Sequence, residues 1–168
     1  SLSLPPLFLL PAIFALSIPF LAYIRAQSWR EAAAVFAAAG LGWFLASTYW
    51  VSNSLIVDVP SNWFLMPVMA LILALTLASF WAVAGAVSFS FGLHPLARTL
   101  WLLIFFSLGE WARGFVATGF PWNLTGSMFA VDLASMQAAS FIGVYGLCVI
   151  AVVFAGAPVF WVLGHRHF

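Results

Sequence analysis

The sequence predicts an all-α protein, a polytopic transmembrane helical bundle with about five membrane spans. Two observations lead to this prediction. Hydrophobic residues make up 65% of the 168 residues and charged residues only 5%, whereas a soluble domain has about 25% charged residues. The apolar residues also form long unbroken runs, unlike the short alternating segments of a transmembrane β-barrel. The surface of the folded chain is therefore expected to contact lipid.

The apolar runs are long enough to be membrane helices, because about 20 apolar residues cross a bilayer core of about 30 Å. Short polar stretches between the runs supply the loops. The chain is expected to form a single transmembrane domain over residues 1–168, with no soluble catalytic domain. The predicted spans are residues 5–24, 32–52, 63–91, 99–116 and 134–163.

The arginines predict how the bundle is oriented. All five basic residues are arginines, and Arg-rich short loops stay in the cytoplasm. Four of them, namely Arg25, Arg30, Arg98 and Arg166, fall on one side of the predicted bundle, with Arg113 on the other. The loop over residues 118–133 is therefore expected to face outward. A basic tract is absent from the sequence, so nothing indicates a nucleic-acid partner.

Glu110 and Arg113 form the most unusual feature of the sequence, because they lie three positions apart within apolar residues. At this spacing their side chains can meet on a helix. Charged groups inside a membrane are costly and are normally paired or directed at a cavity. Three interpretations stay open: a structural pair, an Arg113 that contacts an anionic lipid headgroup, or a Glu110 that orients the following loop.

The segment after this pair is expected to end the helix, because Gly119 suits a left-handed cap and Pro121 prevents continuation. Its aromatic residues are typical of an interfacial belt, or of a loop that closes over a lateral entrance from the bilayer. Trp43 and Trp50 lie toward the same side. The candidate lipid-binding residues are Glu110, Arg113, Thr118, Gly119, Phe120, Pro121, Trp122, Trp43 and Trp50.

Catalytic chemistry is not predicted within this chain. The sequence has no lysine, and its one cysteine, Cys148, lies in an apolar run typical of a buried helix. The histidines are too scattered along the sequence to predict a metal site, and no cofactor motif occurs.

Two motifs resemble the membrane domain of bacterial apolipoprotein N-acyltransferases: Glu-Trp-Ala-Arg-Gly at residues 110–114 and Thr-Gly-Phe-Pro-Trp-Asn at 118–123. Residues 42–51 and 142–147 extend the resemblance over nearly the whole chain. The resemblance implies an enzyme of the bacterial inner membrane that acts in lipoprotein biosynthesis. Such an enzyme transfers an acyl chain from a phospholipid donor to the N-terminal cysteine of a diacylated lipoprotein acceptor.

The resemblance also implies that a Glu, a Lys and a Cys of a nitrilase-like domain perform the transfer. That domain is expected in the full-length protein but not in this chain, and Glu110 matches the membrane motif rather than the catalytic glutamate. The chain is thus expected to be a fragment or a short product that holds lipid substrates and is inactive alone, with its 118–133 loop in the periplasm. The alternatives are a small channel or transporter, or a structural membrane subunit that recruits a separate soluble enzyme.

Overall fold

A computed structural model describes residues 14–57, 60–92, 94–116 and 119–164 of the chain. Within these ranges the secondary structure is helical and no strand occurs, which confirms the predicted all-α helical bundle. The α-helices are α1 (Ser17–Tyr23), α2 (Trp29–Thr48), α3 (Ser54–Val57), α4 (Met66–Phe91), α5 (Pro95–Arg113) and α6 (Leu133–Gly164). The 3₁₀ segments are Tyr49–Asn53, Pro60–Leu65 and Thr125–Val131.

Three helical stretches of the described residues are long and apolar enough to cross a membrane: Trp29–Val57, Ser61–Phe91 and Leu133–Gly164. α5 has 19 residues and is less apolar, since it contains charged side chains near both ends. Much of the first predicted span falls in residues 1–13, outside the described residues, and α1 is its described end. The chain is thus a helical membrane protein, and the count of five spans stays a prediction.

The loop predicted over residues 53–62 is largely helical in its described part. α3 and the 3₁₀ segment Pro60–Leu65 lie in this connection between the predicted spans 32–52 and 63–91. Polar residues favour turns, but a short 3₁₀ turn needs no apolar face and leaves no periodic signal in the sequence. α2 also begins earlier than the predicted span, at Trp29, because Ser28 caps it by accepting a hydrogen bond from the Glu31 backbone N–H at 3.2 Å.

The core lies where α1, α2, α4 and α5 meet. Rings from all four helices pack there, and the closest pair is Trp81 on α4 and Phe106 on α5, with centroids 4.7 Å apart. α2 and α4 approach each other closely at Gly85, where an added Cβ would lie 2.8 Å from the Ala32 carbonyl oxygen. Small residues at such positions let membrane helices pack backbone to backbone. α2 and α4 therefore form a closely packed pair, and α5 packs against this pair.

α6 bends within the apolar run over residues 134–163, where the fifth span is predicted. Its backbone leaves the helical conformation at Gly143, which has φ +69° and ψ 171°. Only glycine adopts this conformation readily, because it has no Cβ. Residues 133–142 and 144–164 are therefore two helical pieces joined by a bend.

Candidate functional site

Glu110 lies in the last turn of α5, and its side chain is fully buried, with 0% of its surface exposed. Its Oε1 accepts hydrogen bonds from Trp81 Nε1 on α4 and from Arg113 Nη2, both at 3.0 Å. Its Oε2 accepts from the backbone N–H of Thr125 at 2.8 Å and from the Thr125 hydroxyl at 3.1 Å. One carboxylate thus joins α4, α5 and the segment that follows α5.

Arg113 is the last residue of α5 and is only 1% exposed. Besides its ion pair with Glu110, its Nη1 donates to the backbone carbonyl of Trp122 at 2.8 Å. The guanidinium carbon lies 4.9 Å from the centroid of the Phe44 ring on α2, within the range of a cation–π contact. Its Nε is buried and has no hydrogen-bond partner. The helix C-terminus also favours a positive charge at this position.

The loop from Gly119 to Val131 folds back onto the end of α5. The backbone N–H of Phe120 donates to the Arg113 carbonyl at 2.8 Å, and Gly119 has φ +79°. A Cβ at Gly119 would collide with the carbonyl oxygen of Gly114, so only glycine fits. The predicted left-handed glycine is confirmed, but it lies in the loop, because α5 ends at Arg113 instead of at residue 116.

Two further contacts fix the same loop to α2 and α6. Asn123, with φ +53°, donates through its side-chain amide to the Ser47 carbonyl at 2.7 Å. Gly126 donates its backbone N–H to Cys148 Sγ at 3.3 Å, and its close approach to α6 leaves no room for a Cβ. The prediction that Cys148 is a buried helical residue is confirmed. α2, α5 and α6 therefore hold the loop.

The structure divides the remaining candidate residues between the interior and the surface. Trp43 is buried against Trp81, with ring centroids 5.9 Å apart. Trp50 and Trp122 are exposed and meet edge to face, with centroids 5.9 Å apart. Of the others, Pro121 is exposed, Gly119 and Phe120 are partly buried, and Thr118 lies outside the described residues.

Sequence reasoning missed Trp81 and Thr125 as the partners of Glu110. They lie 29 residues before and 15 residues after it, and no local pattern links positions so far apart. Asn123 did carry a usable signal, since asparagine is enriched at positive φ. In the described part of the chain no group of three or more His, Cys, Asp or Glu side chains could hold a metal ion.

Together, the fold and this site define a helical membrane domain in which a buried carboxylate ties a loop to the end of the bundle. The chain belongs to the family described as the apolipoprotein N-acyltransferase N-terminal domain, whose sequence model matches residues 1–157. No solved structure gives a significant match to the chain.

Curated relatives with the name apolipoprotein N-acyltransferase include proteins from Caulobacter vibrioides and Rickettsia. The Caulobacter vibrioides protein is 37% identical over 123 residues, which are 73% of this chain and 23% of that protein. The Rickettsia bellii protein is 33% identical over 153 residues, 88% of this chain and 29% of its own. The Rickettsia typhi protein is 34% identical over 159 residues, which are 92% of this chain and 32% of that protein. The chain spans about a quarter to a third of these relatives.

The two members of the buried ion pair should contribute unequally to stability. Removing one partner of a buried pair costs about 3–5 kcal/mol. After Arg113→Met, the Glu110 carboxylate keeps the hydrogen bonds from Trp81 and Thr125. After Glu110→Leu, the guanidinium keeps one hydrogen bond, to the Trp122 carbonyl, and its contact with the Phe44 ring. We expect Glu110→Leu to lower the free energy of unfolding more than Arg113→Met.

Reversible unfolding in detergent micelles, followed by steric trapping, measures both values. Arg30→Met is the matched control, because Arg30 is exposed and contacts only the Trp29 ring at 5.4 Å; its cost should stay within about 1 kcal/mol. If Arg113→Met is as mild as this control, the pair does not stabilise the bundle.

Proposed function

We propose that this chain is the membrane portion of an apolipoprotein N-acyltransferase of the bacterial inner membrane. The whole enzyme would transfer an acyl chain from a phospholipid to the N-terminal cysteine of a diacylated lipoprotein. Family membership and the relatives' names support this proposal, and so does the short share of each relative that the chain spans. The Glu, Lys and Cys that perform transfer would lie in a nitrilase-like domain elsewhere in the full-length protein.

The observation that carries the chain's own role is the buried carboxylate of Glu110, with its bonds to Thr125 and Arg113. These bonds favour the interpretation in which the pair orients the following loop. A direct headgroup contact by Arg113 gains no support, since the guanidinium is buried and two of its nitrogens already donate. The loop would therefore act as a rigid support for the lipid substrates, on the periplasmic side that the arginine distribution predicts.

The exposed aromatic rings at the same end of the bundle would make the contact with lipid. Trp50 and Trp122 touch each other, and the backbone of Trp122 is held by Arg113. Tryptophan suits the boundary between membrane and water because its ring is apolar and its N–H is polar. A phospholipid that enters from the bilayer would meet these two rings first.

The loop contact can be tested in the full-length enzyme with Thr125→Val, which removes one hydroxyl and preserves the side-chain shape. A hydrogen bond to a charged group contributes about 1.5–3 kcal/mol. If the loop positions substrate, part of this loss appears in the transition state, and kcat/KM should fall about tenfold, equivalent to about 1.4 kcal/mol. The assay is transfer from phospholipid to a diacylated lipopeptide.

Thr76→Val is the matched control for this substitution. The Thr76 hydroxyl donates to the Ile72 carbonyl of its own helix at 2.8 Å, and the residue is exposed, so the substitution removes a hydrogen bond within α4 instead of one to the loop. It should leave kcat/KM unchanged. Equal losses in the two folded variants, or no loss for Thr125→Val, would argue against a loop that supports the substrate.

The exposed rings are tested by Trp50→Ala and Trp122→Ala in the same enzyme. Because aromatic contacts contribute about 0.5–1.5 kcal/mol beyond area burial, the KM for phospholipid should rise roughly threefold to tenfold with little change in kcat. Trp29→Ala is the control, since Trp29 is exposed at the opposite end of α2. A KM that rises equally in the control would indicate a general membrane anchor instead.

The chain alone is expected to be inactive. It contains no lysine, and Cys148 is buried with Gly126 donating to its sulfur. Incubation of the purified chain with phospholipid should therefore yield no acyl thioester by intact-mass spectrometry, as for a Cys148→Ala control. An acyl adduct on Cys148 that the control lacks would overturn this expectation.

A further inference from the structure

α6 is longer than a membrane crossing requires. Its 32 residues correspond to about 48 Å of helix at 1.5 Å per residue, against a bilayer core of about 30 Å. The part after Gly143 has about 20 residues, and this alone is enough to cross. The ten or so residues before the bend are therefore not needed for the crossing.

The bend at Gly143 lies in open space. A Cβ added there would meet nothing within 4 Å, so the glycine is not required by close packing of a neighbouring element. The conformation, with φ +69°, is nonetheless one that other residues avoid. A glycine at this position allows the first piece of α6 to leave the axis of the second.

The first piece is a largely apolar helix that the bundle covers only in part, since Ser135, Ala138 and Ala139 are partly buried and its other residues are exposed. None of residues 131–146 is buried, and Phe141 is 88% exposed and Leu133 79% exposed. Ala134, Ala138, Phe141 and Ile142 follow at i, i+4, i+7 and i+8, which places them on one stripe of the helix. The stripe contains no charged or polar side chain.

The start of this helix has the opposite character. Asp132 caps it: one carboxylate oxygen accepts from the Ser135 backbone N–H and the other from the Ser135 hydroxyl, both at 2.8 Å. These two bonds hold the pKa of Asp132 below its usual value, so the group is charged at neutral pH. An exposed carboxylate of this kind requires water. The helix therefore begins at the aqueous boundary, next to the loop that carries Trp122.

We propose that residues 133–142 form a peripheral helix that lies in the membrane interface, and that Gly143 is the bend at which the chain turns into the bilayer. The stripe that contains Phe141 and Ile142 inserts among phospholipid acyl chains. Ser140, which lies on the opposite side of the helix, faces the headgroups. Interfacial helices of this kind place their apolar side about 5–10 Å into the boundary between headgroups and acyl chains. This proposal does not depend on the acyltransferase function.

Spin-label depth measurements test the proposal in the chain reconstituted into phosphatidylethanolamine–phosphatidylglycerol nanodiscs. A Cys148→Ala background leaves single labelling sites at Phe141→Cys, Ser140→Cys and Phe154→Cys. Accessibility to oxygen and to a water-soluble nickel chelate gives the depth of each label. We expect the label at 141 to lie about 5–10 Å below the boundary, the label at 140 to be accessible to nickel, and the label at 154 to be deepest.

Three results would overturn the proposal. A label at 141 as deep as that at 154 would indicate one tilted span. Nickel access at both 140 and 141 would place the helix in water. Labels at 140 and 141 that are immobile and shielded from both reagents would indicate a docked protein surface.

The bend is tested separately by Gly143→Ala, which disfavours the positive φ and should shift the depth of the label at 141. Gly42→Ala is the control, because Gly42 is helical and has equally open space around it; it should leave that depth unchanged. An unchanged depth in Gly143→Ala would overturn the assignment of Gly143 as the bend.

Discussion

The buried carboxylate of Glu110 is the group on which the arrangement of α4, α5 and the following loop depends. A charge in so apolar an interior is tolerated only if partners replace the water that it has lost. Glu110 obtains four donors, one each from the side chains of Trp81 and Arg113 and two from Thr125. These donors belong to α4, α5 and the following loop. Moving the loop would leave Oε2 without a donor, and moving α4 would remove one of the two donors to Oε1.

The loop between α5 and α6 takes its shape from this requirement and not from regular secondary structure. Its backbone adopts left-handed conformations at Gly119 and Asn123. Each conformation allows a contact that another backbone conformation would lose. Gly119 brings the chain back over the end of α5, and Asn123 then reaches the Ser47 carbonyl on α2. The loop is consequently attached at several points although it lies at an end of the bundle, where loops are usually most mobile.

Local sequence patterns predicted those parts of this arrangement that depend on residues close together in the sequence. Composition alone indicates a lipid-facing helical protein, and the spacing of Glu110 and Arg113 predicts that the two side chains meet. The other partners were not predictable, because the contact between Trp81 and Glu110 exists only once α4 packs against α5. The bend at Gly143 was missed for another reason: glycine is frequent in membrane helices, and nothing in the flanking apolar residues distinguishes a bend from a continuous turn.

The segment from α5 to α6 thus combines a first half that is fixed by hydrogen bonds with a second half that the described bundle covers only partly. Glu110, Asn123 and Gly126 fix the first half against three helices. Beyond Asp132 the chain has no buried residue until after the bend at Gly143. In the proposed arrangement this contrast has a physical reason. A support for lipid substrates must keep its position relative to the bundle, whereas a helix in the interface must follow the bilayer surface, and a glycine bend lets one continuous segment do both.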